Sequence, residues 1–463
     1  MKVNQKFLAK IEKEYKQKFD VSHGYFSRGS AFFPNQVSHS GRFFSPFPIY
    51  AKSAKGSIIK TVDNENIIDF WQGHFCNILG HNPGIIKKTI INNLNKDIGL
   101  QLGQFTELEA EVASLLKEAT HFESFIFSTS GGLSTMHAIM LGLAYSKRDK
   151  ILKISGGWHG AYPWALKGVK YPYGIDKTVI ESAGISKKIS SEILVTPFNE
   201  VKKLEECFKK HGHQIGVFVL ELVLGNSGMI VANSEFVKKA RELSTKYGVV
   251  LVIDEMVTGF RARRGGFYEY YGIKPDLVTF GKSIAGGMPF ACIAGKKEIL
   301  LCASTENKLR VWADAGTFTS HPMVLLAIIE MLKYFKNNEY IFNKTIEDMN
   351  YLRSELKKVF NKHKVDVHIT GESNDEKIPN FPIGTVRFIN NIEEYDFNKA
   401  LIHWDKEKND IKLRDNILKK YFLNKGIFIW QGLGMINYSH KKSEIKKLIN
   451  TYDLFFCENE SFQ

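Results

Sequence analysis

Lys282 and Asp254 have side chains and positions that suit chemistry on an aldehyde carried by a nitrogen-containing aromatic ring. Lys282 lies in a turn of small residues, and Asp254 ends the apolar segment Gly248–Ile253. A lysine amine forms an imine with an aldehyde, and a buried aspartate keeps a pyridine nitrogen protonated. The pair predicts a site for pyridoxal 5'-phosphate (PLP). An aspartate that only caps a turn would account for Asp254 about as well.

A turn of small residues ahead of a predicted helix suits a phosphate group. Ser130, Gly131 and Gly132 follow a short apolar strand and lead into an apolar helix over Thr135–Tyr145. Free backbone N–H groups and the helix dipole attract anions at such a position. An ordinary helix cap with a glycine hinge is the alternative. Thr317, in a second turn rich in hydroxyl groups, offers a further phosphate contact.

Two residues between these turns suit contacts with a planar ligand. Trp158 is flanked by glycines just after a predicted strand, where an aromatic ring can stack on a cofactor. The alternative is a half-buried tryptophan in a loop. Glu221 interrupts the apolar strand predicted over Val217–Val223. Because a buried carboxylate is costly unless it meets a cation or a hydrogen-bond donor, Glu221 is either a site residue or a structural acid.

The order of these residues along the chain is more specific than any one of them. Between Val252 and Gly295 the sequence contains the segments IDE, TGFR, GIKPDL, GK and GGMP. On these residues the chain resembles the class III PLP-dependent aminotransferases of fold type I, in the glutamate-1-semialdehyde 2,1-aminomutase-like branch. The resemblance extends from about Gly41 to His440.

The resemblance implies a role for each matched residue. Lys282 would bind PLP covalently and carry a proton, and Asp254 would pair with the pyridine nitrogen. The other cofactor contacts would be Ser130, Gly131, Gly132 and Thr317 at the phosphate, Trp158 and Val257 on the two ring faces, and Glu221 and Asn226 near the ring hydroxyl. In this family Thr317 would act from a neighbouring subunit, which implies a homodimer with shared active sites.

Two further residues belong to the predicted substrate pocket. Arg42 falls where the aminomutase branch binds a carboxylate, with an ordinary surface arginine as the alternative. His74 stands where most enzymes of that branch have a tryptophan. The segment Ser130–Leu133 reads SGGL where the family has SGTE, and residues 429–433 lack the acidic segment of the branch. These differences favour a substrate other than glutamate 1-semialdehyde.

The leading prediction is an aminotransferase that moves an amino group from a small-molecule amino donor to a keto or aldehyde acceptor. An intramolecular aminomutase, which needs no external acceptor, is the second prediction from the same resemblance. A non-catalytic binding protein on this fold is the third, and the presence of both Lys282 and Asp254 argues against it. The sequence names neither the donor nor the acceptor.

The elements that must position these residues predict an α/β fold. From about residue 104 to 330 helical patterns alternate with short apolar strands, which predicts a mostly parallel sheet flanked by helices, with ligands at the carboxyl ends of its strands. A hairpin is predicted over Ser57–Phe70. We predict a large PLP-binding domain over residues 76–335. A smaller α+β domain is predicted over residues 336–463, with residues 1–75 contributing to it.

Composition excludes several other classes of protein. The 463 residues are 44% hydrophobic and 24% charged, as in globular domains. The net charge of +14 comes without a nucleic-acid motif, so no nucleic-acid partner is predicted. The run Ile215–Leu224 contains Glu221 and is too short to cross a membrane. Residues 1–20 are predicted as a surface helix. Five scattered cysteines predict a cytoplasmic protein with thiols in its core.

Overall fold

The computed structural model describes residues 3–169, 180–390 and 403–461. Apolar residues at helical spacing form amphipathic helices that pack on hydrophobic cores. The helices are Gln5–Lys18, Asp20–Gly29, Gly84–Leu94, Glu107–Thr120, Gly131–Ser146, Lys187–Glu192, Val201–His211, Ser234–Tyr247, Lys297–Leu300, Pro322–Asn337, Tyr340–Lys362, Leu418–Asn424 and Lys442–Ser461. No helix within these described ranges has the length and apolarity needed to cross a bilayer.

The strands are short, and the longest of them are rich in β-branched and small apolar residues. They are β1 Ala51–Lys55, β2 Ile58–Thr61, β3 Asn66–Asp69, β4 Ser124–Ser128, β5 Lys150–Ile154, β6 Ile193–Thr196, β7 Ile215–Leu220, β8 Val223–Leu224, β9 Ile230–Val231, β10 Val250–Glu255, β11 Leu277–Gly281, β12 Ala291–Gly295, β13 Val367–Ile369, β14 Ile383–Gly384, β15 Val386–Phe388, β16 Ile427–Phe428 and β17 Gly434–Met435.

The central feature is a seven-stranded sheet in the order β4-β12-β11-β10-β7-β5-β6. Its pairs β10–β11, β10–β7, β5–β7 and β5–β6 are parallel, and β12 runs antiparallel to both of its neighbours. β7, β10, β11 and β12 are buried along their whole length. The prediction of an α/β fold with a mostly parallel sheet is confirmed, and the carboxyl ends of its parallel strands meet at one edge.

A second, smaller sheet joins the two ends of the chain. The predicted hairpin is confirmed as β2 paired antiparallel with β3, and β16 from the C-terminal region adds a parallel strand beside β3. The N-terminal helix Gln5–Lys18 buries Phe7, Ile11 and Tyr15, so it is one wall of a core and not only a surface helix. Phe7 and Ile11 share that core with side chains between residues 349 and 456.

Three details of the predictions are wrong. β10 begins at Val250, because Gly248 ends the preceding helix with a left-handed φ of 63°. β7 ends at Leu220, so Glu221 lies in the link between β7 and β8 and does not interrupt a strand. Finally, the cysteines do not all fill the core: Cys292 is buried, but Cys457 on the C-terminal helix is exposed.

Candidate active site

Asp254 lies at the carboxyl end of β10, where three hydrogen bonds fix its side chain. Its Oδ1 accepts from the Met256 backbone N–H at 3.0 Å and from the Thr279 hydroxyl at 3.2 Å. Its Oδ2 is 2.8 Å from Nδ1 of His159. A carboxylate offers about four acceptor positions, so these donors leave one for a further N–H group. The carboxylate is buried at the edge of the sheet where ligands bind in this architecture.

His159 is the site residue that the sequence reasoning missed. Its imidazole is buried, and burial lowers its pKa, although Asp254 acts in the opposite direction. We therefore assign the neutral ring, with Nδ1–H donating to Asp254, and its Nε2 has no hydrogen-bond partner within the described ranges. The only local signal was its place beside Trp158 in a run of glycines.

Lys153 anchors the loop that carries Trp158 and His159. Its Nζ donates to the carbonyl oxygens of Gly157, Ala165 and Lys167 at 3.2, 2.7 and 2.8 Å. Complete burial lowers the pKa of Lys153 to about 8. Three carbonyl groups from one loop converge on the single Lys153 cation. Removal of this side chain would therefore free the loop in addition to removing an amine.

Trp158 and Glu221 are joined directly. The Trp158 backbone N–H donates to Glu221 Oε1 at 2.8 Å, and the Gly225 N–H donates to Oε2 at 3.0 Å. The expectation that a carboxylate at this position meets donors is confirmed. Burial, and next the charge of Asp254, raise the pKa of Glu221 to about 8. Trp158 is 45% exposed, so part of its surface can contact a ligand.

Asn226 and Val257 lie beside the same link. The Asn226 side chain is partly buried, and its Nδ2 has no hydrogen-bond partner in the part of the chain that the structure describes. A Cβ added at Gly225 would lie 3.5 Å from Val257 Cγ2, so the Val257 side chain lies close to this turn. An unpaired buried amide is costly, which makes Asn226 a candidate donor to a bound polar group.

The helix Gly131–Ser146 presents its N-terminus at the same edge of the sheet. Ser130 caps it, with Oγ accepting from the Leu133 N–H at 3.4 Å. A Cβ at Gly131 would lie 2.7 Å from Met256 Sδ, and at Gly132 it would lie 3.4 Å from Gly160 Cα. The neighbouring atoms therefore leave little room for a side chain at either position. The backbone N–H groups and the dipole of a helix N-terminus attract an anion.

Lys282 follows β11 and is held by the register of the sheet. In the parallel pair β10–β11, Asp254 faces Thr279, and Lys282 is the first residue after Gly281, which ends β11. Its φ of 45° is left-handed, which is uncommon for a residue with a side chain and is typical of functional turns. Strand order and this turn together bring Lys282 to the edge that carries Asp254.

A left-handed turn forms the rim of the site. Gln72, Gly73, His74 and Phe75 all have positive φ, at 51°, 62°, 58° and 68°. For the three residues with side chains, this backbone costs about 1–2 kcal/mol each. The Asp69 carboxylate holds the turn by accepting from the N–H of Trp71 and Gln72 at 2.8 and 3.0 Å.

The two predicted substrate residues meet at this rim. Arg42 Nε donates to His74 Nε2 at 3.3 Å. Burial, followed by electrostatic effects of His39, Arg42 and Lys282, lowers the pKa of His74 to about 4. The neutral ring accepts through Nε2. The rim adjoins the turn after β11, because Arg261 Nη2 donates both to the Phe75 carbonyl oxygen and, at 2.7 Å, to Ser283 Oγ.

Thr317 stands apart from the other candidates. It is exposed, and its backbone oxygen accepts a hydrogen bond from the Gln101 side chain. Within residues 3–169, 180–390 and 403–461, no hydrogen bond joins its hydroxyl to another candidate residue. The other candidate residues lie at or beside one edge of the sheet. Thr317 lies apart from them, on an outer surface.

Comparisons with known proteins agree with this geometry. Residues 41–372 match the family described as aminotransferase class-III. The glutamate-1-semialdehyde 2,1-aminomutase of Methanosphaera stadtmanae is 30% identical over 94% of this chain and 98% of its own. That of Thermodesulfovibrio yellowstonii is 35% identical over 67% of this chain and 71% of its own.

Solved structures of low sequence identity share the fold. A glutamate-1-semialdehyde aminomutase from Pseudomonas aeruginosa superposes with a TM-score of 0.85 at 17% identity, covering 99% of this chain and 100% of its own. A β-phenylalanine aminotransferase from Variovorax paradoxus gives 0.84 at 22% identity, covering 98% and 97%. The sheet and helices are therefore those of PLP-dependent fold type I. The chain belongs to the class III aminotransferases, a family of PLP-dependent enzymes that includes transaminases and aminomutases.

Proposed function

We propose that this enzyme uses PLP, bound at the Asp254 edge of the sheet, to move an amino group from a small-molecule donor to a keto or aldehyde acceptor. When bound, PLP would supply an electron sink for bonds that break at the substrate carbon. The observation that carries the proposal is the convergence of Lys282, Asp254 and the helix N-terminus at Ser130 on one edge.

The residues present fit such a cofactor. The remaining acceptor position on Asp254 suits a pyridinium N–H. The unpaired Nδ2 of Asn226 suits a ring oxygen, with Glu221 beside it as a second polar group. The exposed Trp158 side chain and the Val257 side chain suit the two faces of a planar ring, and the helix N-terminus at Gly131 and Gly132 suits a phosphate.

Each side chain then has a physical task. The Lys282 amine would hold the cofactor covalently and afterwards carry a proton to and from the substrate carbon. The Asp254 carboxylate would keep the pyridine nitrogen protonated because a buried negative charge raises the pKa of an adjacent base. His159 would hold that carboxylate in place, and Arg42 would bind a substrate carboxylate through its free guanidinium N–H groups.

Borohydride reduction of the holoenzyme tests the role of Lys282. Mass mapping should find the added cofactor mass on the peptide that contains Lys282. The Lys282→Ala variant should lose visible cofactor absorbance and roughly a thousandfold or more of turnover. Lys297→Ala removes an exposed lysine from the same predicted domain and should match wild type in cofactor absorbance and in turnover. Normal turnover by Lys282→Ala would refute the proposal.

We also propose that the enzyme is a cytoplasmic homodimer in which Thr317 of one subunit contacts the phosphate bound by the other. Large exposed apolar side chains flank Thr317 and its hydrogen-bonded neighbour Gln101; they include Phe105, Trp312 and Phe318, at 90%, 65% and 62% exposure. Such a surface is typical of an interface. Light scattering should show a dimer for wild type and for Leu454→Asp, and the 52.7-kDa monomer for Phe105→Asp.

An intramolecular aminomutase is the second candidate, because the relatives named above include two glutamate-1-semialdehyde 2,1-aminomutases. The two reactions differ in their need for an acceptor. An aminotransferase should release a keto product from the donor in an amount equal to the bound cofactor when no acceptor is present. A mutase should isomerise its substrate with no separate keto product.

A further inference from the structure

We propose that a cavity beside Arg42 and His74 binds substrates in which a single carboxylate is attached to a ring-bearing apolar body. We call this cavity the aromatic pocket; the residues that define it are Phe33, Phe44, Tyr50, Trp71 and Phe428, with Arg42 and His74 at its polar side. The inference rests on the proposed function, since it names the substrate class of that site.

The size and walls of the aromatic pocket favour a ring. Its volume is about 480 Å³, within the roughly 300–1,000 Å³ of small-molecule sites, whereas an apolar cavity of roughly 150 Å³ already holds benzene. Five aromatic side chains line it, and the rings of Trp71 and Phe428 are 5.6 Å apart and tilted by 32°. Aromatic walls of this kind gain energy from a ring beyond the burial of its area.

The charges at the pocket favour a single carboxylate. Arg42 forms no salt bridge within the described part of the chain, and its Nε is used by neutral His74, so its terminal N–H groups can bind a carboxylate bidentately. Asp69 also lines the pocket, but its oxygens already accept from Trp71, Gln72 and His81. Among the described residues that line the pocket, Arg42 is the only arginine or lysine, which provides for one anionic group.

The pocket also adjoins the reacting groups. His74 lines it, and the Arg261 guanidinium donates both to the carbonyl oxygen of Phe75, which follows His74, and to the hydroxyl of Ser283, which follows Lys282. The two turns therefore lie side by side. The left-handed turn Gln72–Phe75 carries His74, whose Nε2 accepts from Arg42. A substrate with its carboxylate on Arg42 and its ring in the aromatic pocket would therefore keep its amino-bearing carbon toward Lys282.

Binding of unreactive ligands to the holoenzyme tests the inference by calorimetry. We would compare 3-phenylpropanoate with propanoate, which lacks the ring, and with 3-phenylpropan-1-ol, which lacks the charge. None of them carries an amino or keto group. We expect 3-phenylpropanoate to bind about tenfold or more tightly than either. Equal affinity of propanoate and 3-phenylpropanoate would overturn the proposal.

Two adjacent phenylalanines provide a matched pair of variants. Phe33 lines the aromatic pocket, whereas Phe32 is 82% exposed and does not. Phe33→Ala should weaken 3-phenylpropanoate about fivefold and leave propanoate unchanged, and Phe32→Ala should change neither. Arg42→Met should bind 3-phenylpropanoate and 3-phenylpropan-1-ol with equal affinity. Identical behaviour of the two phenylalanine variants would exclude the pocket as the ring site.

The outcomes separate this inference from the proposed function. If 3-phenylpropanoate binds as expected but no amino donor changes the cofactor spectrum, the aminotransferase proposal fails and the pocket assignment stands. If amino donors react but neither ligands nor substrates show a preference for a ring, the pocket assignment fails and the aminotransferase proposal stands.

Discussion

The floor of the site, formed by Asp254 and His159, is buried at the carboxyl ends of the parallel strands, whereas its rim, formed by Arg42 and His74, is more open. The hydrogen bond between Asp254 and His159 in the floor is 2.8 Å long, and the hydrogen bond between Arg42 and His74 in the rim is 3.3 Å long. Strand β10 carries Asp254 and a loop anchored by buried Lys153 carries His159, but a left-handed turn carries His74. The floor is therefore held by the fold itself, and the rim by a few local contacts.

This difference matches the two tasks of such an enzyme. A cofactor is the same in every reaction of the family, so its contacts belong on rigid strands that position atoms closely. A substrate pocket differs between enzymes, and loops tolerate that change better than strands do. We expect substitutions at the floor to lower the rate constant of the chemical step, and substitutions at the rim to change substrate affinity.

The largest effect should come from Asp254→Asn, which keeps the size of the side chain but removes its charge. Without a buried anion the pyridine nitrogen would lose its proton, and kcat should fall roughly 10²–10³-fold. Steady-state kinetics and cofactor titration would measure the change. A variant that keeps its cofactor and turns over normally would show that the floor does not act through this charge.

His159→Leu should have the next largest effect, about tenfold on kcat, because Asp254 would lose one of its three hydrogen bonds. His159→Asn restores an N–H donor of similar reach and should recover most of the loss. The pH dependence of the cofactor spectrum should shift in the leucine variant only, since a purely structural loss would not alter proton affinity. Equal behaviour of both variants would contradict the role of His159 as a positioning residue.

Glu221 should make the apoprotein less stable as the pH rises. Burial raises the folded-state pKa to about 8 from 4.5, so the folded protein holds this proton more tightly than the unfolded chain. The associated stability is full below about 4.5 and is lost as the pH rises through about 8. The loss should be of the order of a few kcal/mol, at about 1.4 kcal/mol per pKa unit.

Urea unfolding across that pH range would measure the effect of Glu221. Glu221→Gln should show a smaller decline than wild type. Glu255, whose pKa burial raises to about 7, is present in both proteins and contributes equally to each. A decline of the same size in both proteins would contradict the buried, protonated state of Glu221.

The smallest effect should come from the rim. His74→Gln keeps a hydrogen-bond acceptor for Arg42 but removes the ring that contacts Trp71 at a centroid distance of 4.1 Å. We expect KM for a carboxylate substrate to rise about threefold with kcat nearly unchanged. A large fall in kcat with unchanged KM would show that the rim takes part in the chemical step and that the contrast with the floor is wrong.

Much of this site follows from local sequence patterns. A lysine in a turn of small residues, an aspartate at the end of an apolar strand and a glycine turn before a helix are each short-range features, so their chemistry could be predicted. The alternation of strands and helices likewise predicted the sheet. Strand ends were less well predicted, since the end of β7 before Glu221 depends on pairing with neighbouring strands.

The sequence by itself determined which groups are available for chemistry and their order along the chain. Only the tertiary structure decided which of them touch. His159 and Asp254 are 95 residues apart, and Arg42 and His74 are 32 apart. Such contacts depend on strand order, on register and on a left-handed turn held by Asp69. Asp69 holds the turn through near neighbours, but strand order, register and the contact of His74 with Arg42 are properties of the whole packed chain, because they join residues that are distant in sequence.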